Sequence, residues 1–593
     1  MNQVHSLAGT MWHRWCDNAA KSPDSVAIIH WKAGEAPRRW SWGELIRTAE
    51  LYSAALTIGG VKRGDVCAII AKHNPLLYPV YLGCVCAGAI PAILAYQNPR
   101  LHPEKFREGL LGMGKRSGLD WILTERGLEN ILQPVLGTGR STIRGLQFPF
   151  EGNEYLSGIA SDAARRAVHE MNESDPLLLQ HSSGTTGLQK PVLLNHRAVL
   201  EHVKEYGKFL RVSQTDKVVS WLPLYHDMGL IAAFYLPLTL GIPTVQIDPF
   251  EWVLAPSLLL EAMSVERGTI TWLPNFAFSM MADKIQEEDL DGVTLDSCRM
   301  VISCSEPVRY RDQEKFFERF APRGLRRESL SSCYAMAETT FAVTQTPPGR
   351  DPVTLAVDAD ALSKGIVRPA TVTSTTRFCV SSGELIPGCR IRIVDEEFSD
   401  LEDRRVGEIL IKSPSMFDGY RNYPEKTAAA IRDGWYLSGD LGFRDGAEYY
   451  VIGRKKDIVI VAGNNIYPED VEAALSELDG VIPGRVIAFG EEDADFGSER
   501  LSVVAETVLT DEAERRQLRM AILKAGMEIE VSITNVYLVP PRFLVKSSAG
   551  KPSRSATRER VLRLKQSEMM MRSGEQDDLT RIESGDLERA QGQ

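Results

Sequence analysis

The sequence predicts an α/β fold: a large, multi-subdomain N-terminal lobe with mostly parallel sheets plus an antiparallel subdomain, followed by a small mobile α+β C-terminal lid. Three observations predict it. Short apolar runs of strand length alternate with helical stretches through most of the chain, the pattern of a parallel sheet covered by helices. Around residues 390–411 the pattern changes to strand, turn, strand. Beyond Asp457 comes a short set of strands and helices, large enough for a domain of its own.

Taken in order, Val66–Ile70, Trp121–Leu123, Leu177–Gln180 and Met300–Ser303 read as strands, each near a helical pattern such as Phe316–Phe320. Arg390–Val394 and Val406–Ile411 read as an antiparallel pair. The lid reads as a strand at Ile458–Val461, a helix at Pro468–Leu475, strands at Val486–Phe489 and Leu501–Thr507, and a helix at Asp511–Gly526. These boundaries give a large lobe over 1–455, a lid over 456–565 and a polar tail over 566–593. The tail is expected to be disordered, because it has almost no large apolar residues to bury. Residues 346–387 are rich in Pro, Ser, Thr and Asp and look like an insertion on the large lobe.

Two stretches, Leu76–Tyr96 and Gly229–Gln246, carry no charge over nearly a membrane-spanning length. Their internal prolines and glycines and their β-like ends favour a buried helix feeding a buried parallel strand. No integral membrane segment is expected.

Composition narrows the function. Of 593 residues, 44% are hydrophobic and 25% charged, which excludes a disordered chain, a fibre and a coiled-coil rod. Lys and Arg number 68 against 79 Asp and Glu, a net charge of −11. A chain so acidic is not expected to bind nucleic acid, whose phosphates need a basic face, although a local basic pocket for a phosphorylated small molecule remains open. Nine cysteines without a C-x-x-C pair read as reduced thiols, and the first residues lack a secretory pattern. A cytoplasmic location is expected.

The sharpest local signal is Ser182-Ser-Gly-Thr-Thr-Gly-Leu-Gln-Lys190, directly after the strand at Leu177–Gln180. Ser182, Ser183, Gly184, Thr185 and Thr186 are small enough for backbone N–H groups to approach a phosphate chain, and Lys190 adds a point charge. It is not a Walker A loop, since only two residues separate Gly184 from Gly187 and Pro191 follows the lysine. Alone, such a segment is more often just a turn.

With the rest of the chain, the sequence resembles the AMP-forming adenylating enzymes: acyl-CoA synthetases, peptide-synthetase adenylation domains, luciferases and fatty acyl-AMP ligases. The resemblance rests on six segments in the family's order: the loop above; Trp221-Leu-Pro-Leu-Tyr-His-Asp-Met-Gly229, like the acyl-site motif; Tyr334-Ala-Met-Ala-Glu-Thr339, like the adenine and magnesium motif; Trp435-Tyr-Leu-Ser-Gly-Asp440, like the ribose motif; Gly453-Arg-Lys-Lys-Asp457, like the hinge; and Ser548-Ala-Gly-Lys551, like the catalytic lysine loop. Fatty acyl-AMP ligases look closest, through Leu273-Pro-Asn-Phe-Ala-Phe278, through Cys304-Ser-Glu-Pro-Val308 with Phe320–Arg327, through Asn464-Asn-Ile-Tyr-Pro468, and through the extra segment at 346–387. In that group the segment packs on the large lobe and accompanies poor use of coenzyme A. The sequence departs from the family at Pro191, where many relatives have Gly; at Ala335, in place of Gly; and at Val545, in place of a common Pro.

The resemblance implies activation of a fatty or other apolar carboxylic acid by ATP and Mg2+ to an acyl-adenylate, with release of pyrophosphate. Transfer to the pantetheine of a separate acyl carrier protein is then expected. The alternatives are an acyl- or aryl-CoA synthetase using coenzyme A, and a non-catalytic nucleotide-binding homologue. Lys551 is expected to be catalytic, on a mobile lid. Glu338 is expected to hold Mg2+, or else to be a helix-start carboxylate favoured by the dipole. His226 gates or lines the acyl entrance, or is a structural histidine. Ser305, Glu306 and Tyr334 belong to the nucleotide site, with Tyr334 stacking on adenine or serving as a core aromatic. Asp440 is expected to bind the ribose hydroxyls and Arg454 to support ribose or phosphate. Gly229, Asn275, Phe276 and Phe278 are expected to line the acyl tunnel, with core packing as their plain reading. Lys456 is the expected hinge.

Overall fold

The computed structural model describes residues 9–97, 102–137, 141–159, 171–182, 190–372, 376–461, 464–493, 498–529, 531–546 and 552–573. They fall into two compact units, the first ending at Lys456 and the second running from Asp457 onward with the described part of Gln97–Phe106.

The first unit is built on a nine-stranded sheet. Its strands run in the order Glu384–Leu385, Ala342–Gln345, Leu330–Ala335, Met300–Ser303, Ile270–Leu273, Val218–Ser220, Thr244–Ile247, Val26–Trp31 and Arg38–Ser41. The six from Leu330–Ala335 to Val26–Trp31 are parallel neighbours, with Ile302 beside Ser331 and Ile28 beside Thr244. The strands at both ends of the sheet pair antiparallel. A second, wholly parallel sheet holds Ile90–Ile93, Val66–Ile70, Trp121–Thr124 and Gly145–Gln147. Every residue of Val66–Ile70 is buried, as expected of a strand covered on both faces. The antiparallel subdomain pairs Arg390–Val394 with Gly407–Lys412, then Trp435–Asp445 with Glu448–Arg454.

The two charge-free stretches resolve as expected. Leu77–Cys86 is a fully buried helix, and Ile90–Ile93 follows it into the parallel sheet. Met228–Tyr235 is a wide-turn π-helix, Leu236–Leu240 an α-helix and Thr244–Ile247 a central strand. Among the described residues no helix is long and apolar enough to cross a membrane. All nine cysteines are free, and all but Cys16 are buried.

One strand differs in kind from the sequence reading. Pro176–Ser182 is not part of a parallel sheet: it pairs antiparallel with Lys190–Asn195, which in turn pairs antiparallel with Gly419–Tyr420. The first partner follows after only residues 183–189, and its opening residue, Lys190, reads in the sequence as the end of a loop; the second, Gly419–Tyr420, is brought in from far along the chain.

Within 346–387, Thr354–Asp358 and Thr376–Val380 form an antiparallel ribbon. It lies against the first unit's own elements: Phe378 stacks on Tyr310 with ring centroids 5.0 Å apart, and Arg377 Nη2 donates to the Ile452 carbonyl at 3.2 Å. Just before the ribbon, Arg350 bridges Glu384, at 2.7 Å, and Glu448.

The second unit has a three-stranded sheet of Val486–Asp493, Ser498–Glu506 and Ile533–Val539. Helices Pro468–Leu475 and Glu512–Glu528 cover it, around a core that includes Val471, Leu475, Ala488, Val503 and Ile522. The end of this unit corrects the boundary drawn at 565: the helix Arg554–Ser573 runs eight residues further. Its sequence, RSATRERVLRLKQSEMMMRS, is rich in good helix formers, and Val561 anchors it in a cluster with Phe543 and Leu544. The remainder of the expected tail, 574–593, lies outside the described residues.

Candidate active site

The antiparallel pair Pro176–Ser182 and Lys190–Asn195 sets Ser182 directly across from Lys190, so residues 183–189 join two paired strand ends. Ser183, Gly184, Thr185 and Thr186 lie outside the described residues, as does Lys551. Pro191 costs the pairing nothing at its carbonyl, which accepts from the Arg421 N–H at 2.9 Å. Lys190 Nζ donates to the Tyr420 hydroxyl at 3.2 Å and stands 4.9 Å from the centre of that ring.

Tyr420 passes the contact on. Its hydroxyl donates to Glu338 Oε1 at 2.7 Å and lies 3.4 Å from the Tyr436 hydroxyl. Glu338 occupies a single helical turn, Ala337–Thr339, and is buried. That turn is tied down twice: Phe417 N–H donates to the Glu338 carbonyl at 2.9 Å, and Thr340 Oγ1 donates to the Ser415 carbonyl at 2.8 Å. Burial, and then the Glu338 charge, raise the pKa of both tyrosines, so both keep their protons. Sequence reasoning missed Tyr420 and Tyr436.

A second group forms at the edges of two sheets. Tyr334 lies near the end of the strand Leu330–Ala335 and donates its hydroxyl to Asp440 Oδ2 at 2.6 Å. Asp440 pairs across the antiparallel sheet with Arg454, whose Nε is 3.4 Å from Asp440 Oδ1. The Asp440 N–H donates to Ser438 Oγ at 3.0 Å. The structure thus brings Tyr334, Asp440 and Arg454 together, with the tyrosine edge given to the carboxylate. A carboxylate oxygen can accept more than one hydrogen bond, the chemistry a diol requires.

The segments expected to line an acyl tunnel divide. Phe278 is 0% exposed and packs edge-on against Phe316 at 4.9 Å. Asn275 is also buried, its side-chain amide donating to Asp312 while its oxygen accepts from the Arg309 N–H at 3.0 Å. Both sit where core packing and a helix start require them. Phe276, by contrast, is 40% exposed. Its ring is edge-on to Trp221 at 6.4 Å and to Trp252 at 6.5 Å, two indoles stacked on each other at 3.5 Å and 4°. Glu306 accepts from the Phe276 N–H at 3.1 Å, and Ser305 takes a left-handed backbone angle of +69° just beyond the strand Met300–Ser303. Gly229 allows no side chain: a Cβ there would meet the Pro223 carbonyl oxygen at 2.3 Å. His226 Nδ1 lies 3.0 Å from Asp227 Oδ1, and Asp227 also accepts from the Met228 N–H that opens the π-helix. Wide-turn helices are frequent at functional sites.

Within the second unit, described residues on both sides of the lysine loop are pinned. Lys546 pairs with Pro552, Ser553 N–H donates to the Val545 carbonyl at 2.7 Å, and Val545 N–H donates to Thr557 Oγ1 at 3.1 Å. Arg554, which opens the last helix, meets Asp457 at 2.9 Å, Glu472 at 2.9 Å and Glu469 at 3.2 Å. Lys456 closes the first unit. Among the described residues no group of three or more His, Cys, Asp or Glu could hold a metal ion. Glu338 as a lone buried carboxylate fits a magnesium ion that arrives on a nucleotide, since such an ion takes one or two protein carboxylates and fills its shell with phosphate oxygens and water.

Comparison with known proteins gives the family. The family model "AMP-binding enzyme" matches residues 15–421. The chain belongs to that family. This AMP-binding enzyme is 30% identical over 591 residues to "Probable long-chain-fatty-acid--AMP ligase FadD30" of Mycobacterium tuberculosis, covering 91% of this chain and 96% of the relative. It is 32% identical to a 4-hydroxyphenylalkanoate adenylyltransferase of the same organism, over 65% of each chain. A solved chain from a study of fatty acyl-adenylate ligases of E. coli and L. pneumophila has the same fold, with a TM-score of 0.86, 24% identity, and coverage of 94% of this chain and 98% of that one. The resemblance to fatty acyl-AMP ligases read from the motifs, and the α/β architecture, are both borne out.

Proposed function

We propose that this enzyme joins an apolar carboxylic acid, in the first place a long-chain fatty acid, to AMP, and that it then hands the acyl group to the pantetheine thiol of a separate acyl carrier protein. The observation that carries the reading is the placement of Lys190 and Glu338 on either side of one hydroxyl, that of Tyr420. A cation for phosphate and a carboxylate for the nucleotide's magnesium are what the first step needs, beside a ribose group at Asp440.

In that step a carboxylate oxygen attacks the α-phosphorus of ATP. The new O–P bond forms as the bond to the β-phosphate bridging oxygen breaks, and pyrophosphate leaves with the electron pair. The nucleophile is already anionic, so no base is needed. The barrier is repulsion between anions, and positioned cations lower it. Magnesium, when bound, offsets phosphate charge. Lys190 and Lys551 neutralise phosphate and carboxylate, Arg454 supports the nucleotide through Asp440, and Ser182–Thr186 offer backbone donors. In the second step a thiol sulfur attacks the acyl carbonyl carbon; the C–S bond forms as the bond from that carbon to the AMP phosphate oxygen breaks, AMP leaves with the electron pair and the thiol proton passes to solvent. Lys456, the last residue of the first unit, is the hinge proposed between the two steps.

Phe276, with Gly229 and His226, forms the acyl side of the site. The packing of 346–387 on the first unit supports a carrier protein rather than coenzyme A as acceptor. Nine free cysteines support a cytoplasmic location. The adenylyltransferase relative favours a second substrate reading, an aryl-tipped acid. The test is carboxylate-dependent pyrophosphate exchange over a chain-length series and an aryl series, followed by transfer to holo-carrier protein and to coenzyme A. Exchange with long-chain acids and transfer to the carrier alone is the expected result. Rapid acyl-CoA formation would overturn the second step, and no exchange with any acid the first.

A further inference from the structure

We propose that Tyr420 is a positioning residue that acts through Glu338, orienting its carboxylate for the nucleotide-borne magnesium. This deepens the reading above and rests on it.

Hydrogen-bond chemistry gives the contact a direction. An ammonium group only donates and a carboxylate only accepts, so the single Tyr420 proton must go to Glu338 while its oxygen receives from Lys190. The order Lys190 to Tyr420 to Glu338 cannot reverse while both ends are charged. Both contacts are charge-assisted, and Tyr420 and Glu338 are buried.

The hydroxyl is itself held firmly. Tyr420 lies in a short strand opposite Val192, two residues beyond Lys190, and its N–H donates to Thr427 Oγ1 at 2.9 Å. Its ring packs edge-on against Phe417 at 4.9 Å, and the Phe417 N–H holds the Glu338 carbonyl. The same short segment thus grips Glu338 at both its backbone and its side chain. One carboxylate oxygen is fixed by a phenol on a strand, which sets the plane of the whole group. Outer hydrogen bonds of this kind orient metal-binding carboxylates, and their loss costs roughly 10–100-fold in affinity or activity.

The experiment compares the full chain with Tyr420→Phe, Glu338→Gln and the double variant. Phenylalanine removes one oxygen and keeps the ring, and a melting temperature is read for each protein. Two quantities are measured: the Mg2+ concentration at half-maximal pyrophosphate exchange, and, without carboxylate or turnover, the melting shift given by ATP with Mg2+ over ATP with EDTA. Tyr420→Phe should raise the Mg2+ requirement about tenfold and shrink the magnesium-dependent melting shift. The KM for the carboxylic acid should stay within about twofold, and the substitution should add no further loss in the Glu338→Gln background. A wild-type Mg2+ requirement in Tyr420→Phe, or losses that simply multiply in the double variant, would overturn the inference while leaving Glu338 in place. A wild-type Mg2+ requirement in Glu338→Gln would instead overturn the metal reading, and this inference with it.

Discussion

Arg554 Nη1 lies 2.9 Å from Asp457 Oδ2, so the residue just past the lysine loop is bound to the residue just past Lys456. Glu469 and Glu472 complete the ring, which leaves one guanidinium among three carboxylates. Removing the cation leaves half-buried acids without their counter-charge. Arg554→Ala should destabilise the second unit by roughly 2 kcal/mol, seen as an early transition in urea unfolding, and Arg554→Lys should recover part of it. Unchanged unfolding would mean the ring contributes nothing.

Three acids cannot all be matched by one cation, and the partners divide the outcome. Burial lowers and the acids raise the Arg554 value, with the acids winning, so it stays charged. Burial pushes Glu472 up from 4.5 to about 7 despite Arg554. A carboxyl whose folded value is raised binds its proton more tightly when folded, so its contribution is fully present below the unfolded value and fades as pH rises through about 7. Melting temperature of the second unit should therefore fall between about pH 4.5 and 7. Glu472→Gln should flatten that slope, and an equal slope in both proteins counts against the assignment.

Lys551→Ala should slow carboxylate-dependent pyrophosphate exchange by roughly 10²–10³. Transfer of a supplied acyl-adenylate to a thiol should be much less affected. Exchange near the wild-type rate would remove Lys551 from the chemistry.

Gly229→Ala would force a methyl group against the carbonyls of Pro223 and Leu222, at 2.3 and 3.0 Å. Backbone cannot yield as a side-chain tip can, so we expect a loss of about 1–3 kcal/mol or more together with loss of exchange activity. A stable, active Gly229→Ala would show that the turn relaxes freely.

Phe276 and Phe278 should separate cleanly. Phe278→Ala removes a fully buried ring and should cost about 3–5 kcal/mol with the chain-length profile unchanged. Phe276→Ala should cost little stability and shift the profile, read by exchange over the acid series. The reverse pattern would put the acyl contact at the wrong phenylalanine.

Much of this architecture was legible because it rests on local pattern. The run at Val66–Ile70 is apolar throughout because both of its faces are covered, and the Pro468–Leu475 helix declares itself with a proline at its first position. The group of Tyr334, Asp440 and Arg454 was reachable through its motifs, although the pairing that joins them spans two sheets. Tyr420 was not reachable. Its surroundings, Gly-Tyr-Arg-Asn-Tyr-Pro, look like a turn with aromatics, and only the pairing with Val192 brings it to Lys190. The antiparallel partner of Pro176–Ser182 is near in sequence and was missed because its first residue, Lys190, reads as the end of a loop. The reach of the last helix to Ser573 was hidden by its charge, which conceals the anchoring Val561.

The face-to-face indoles of Trp221 and Trp252 have a practical consequence. Two chromophores stacked 3.5 Å apart and nearly parallel share their excited states, and both N–H groups are buried without a partner among the described residues. Phe276 touches both rings. Any tail that displaces that phenylalanine would change the near-ultraviolet dichroism and emission of the pair, so the protein carries a label-free optical gauge of chain occupancy.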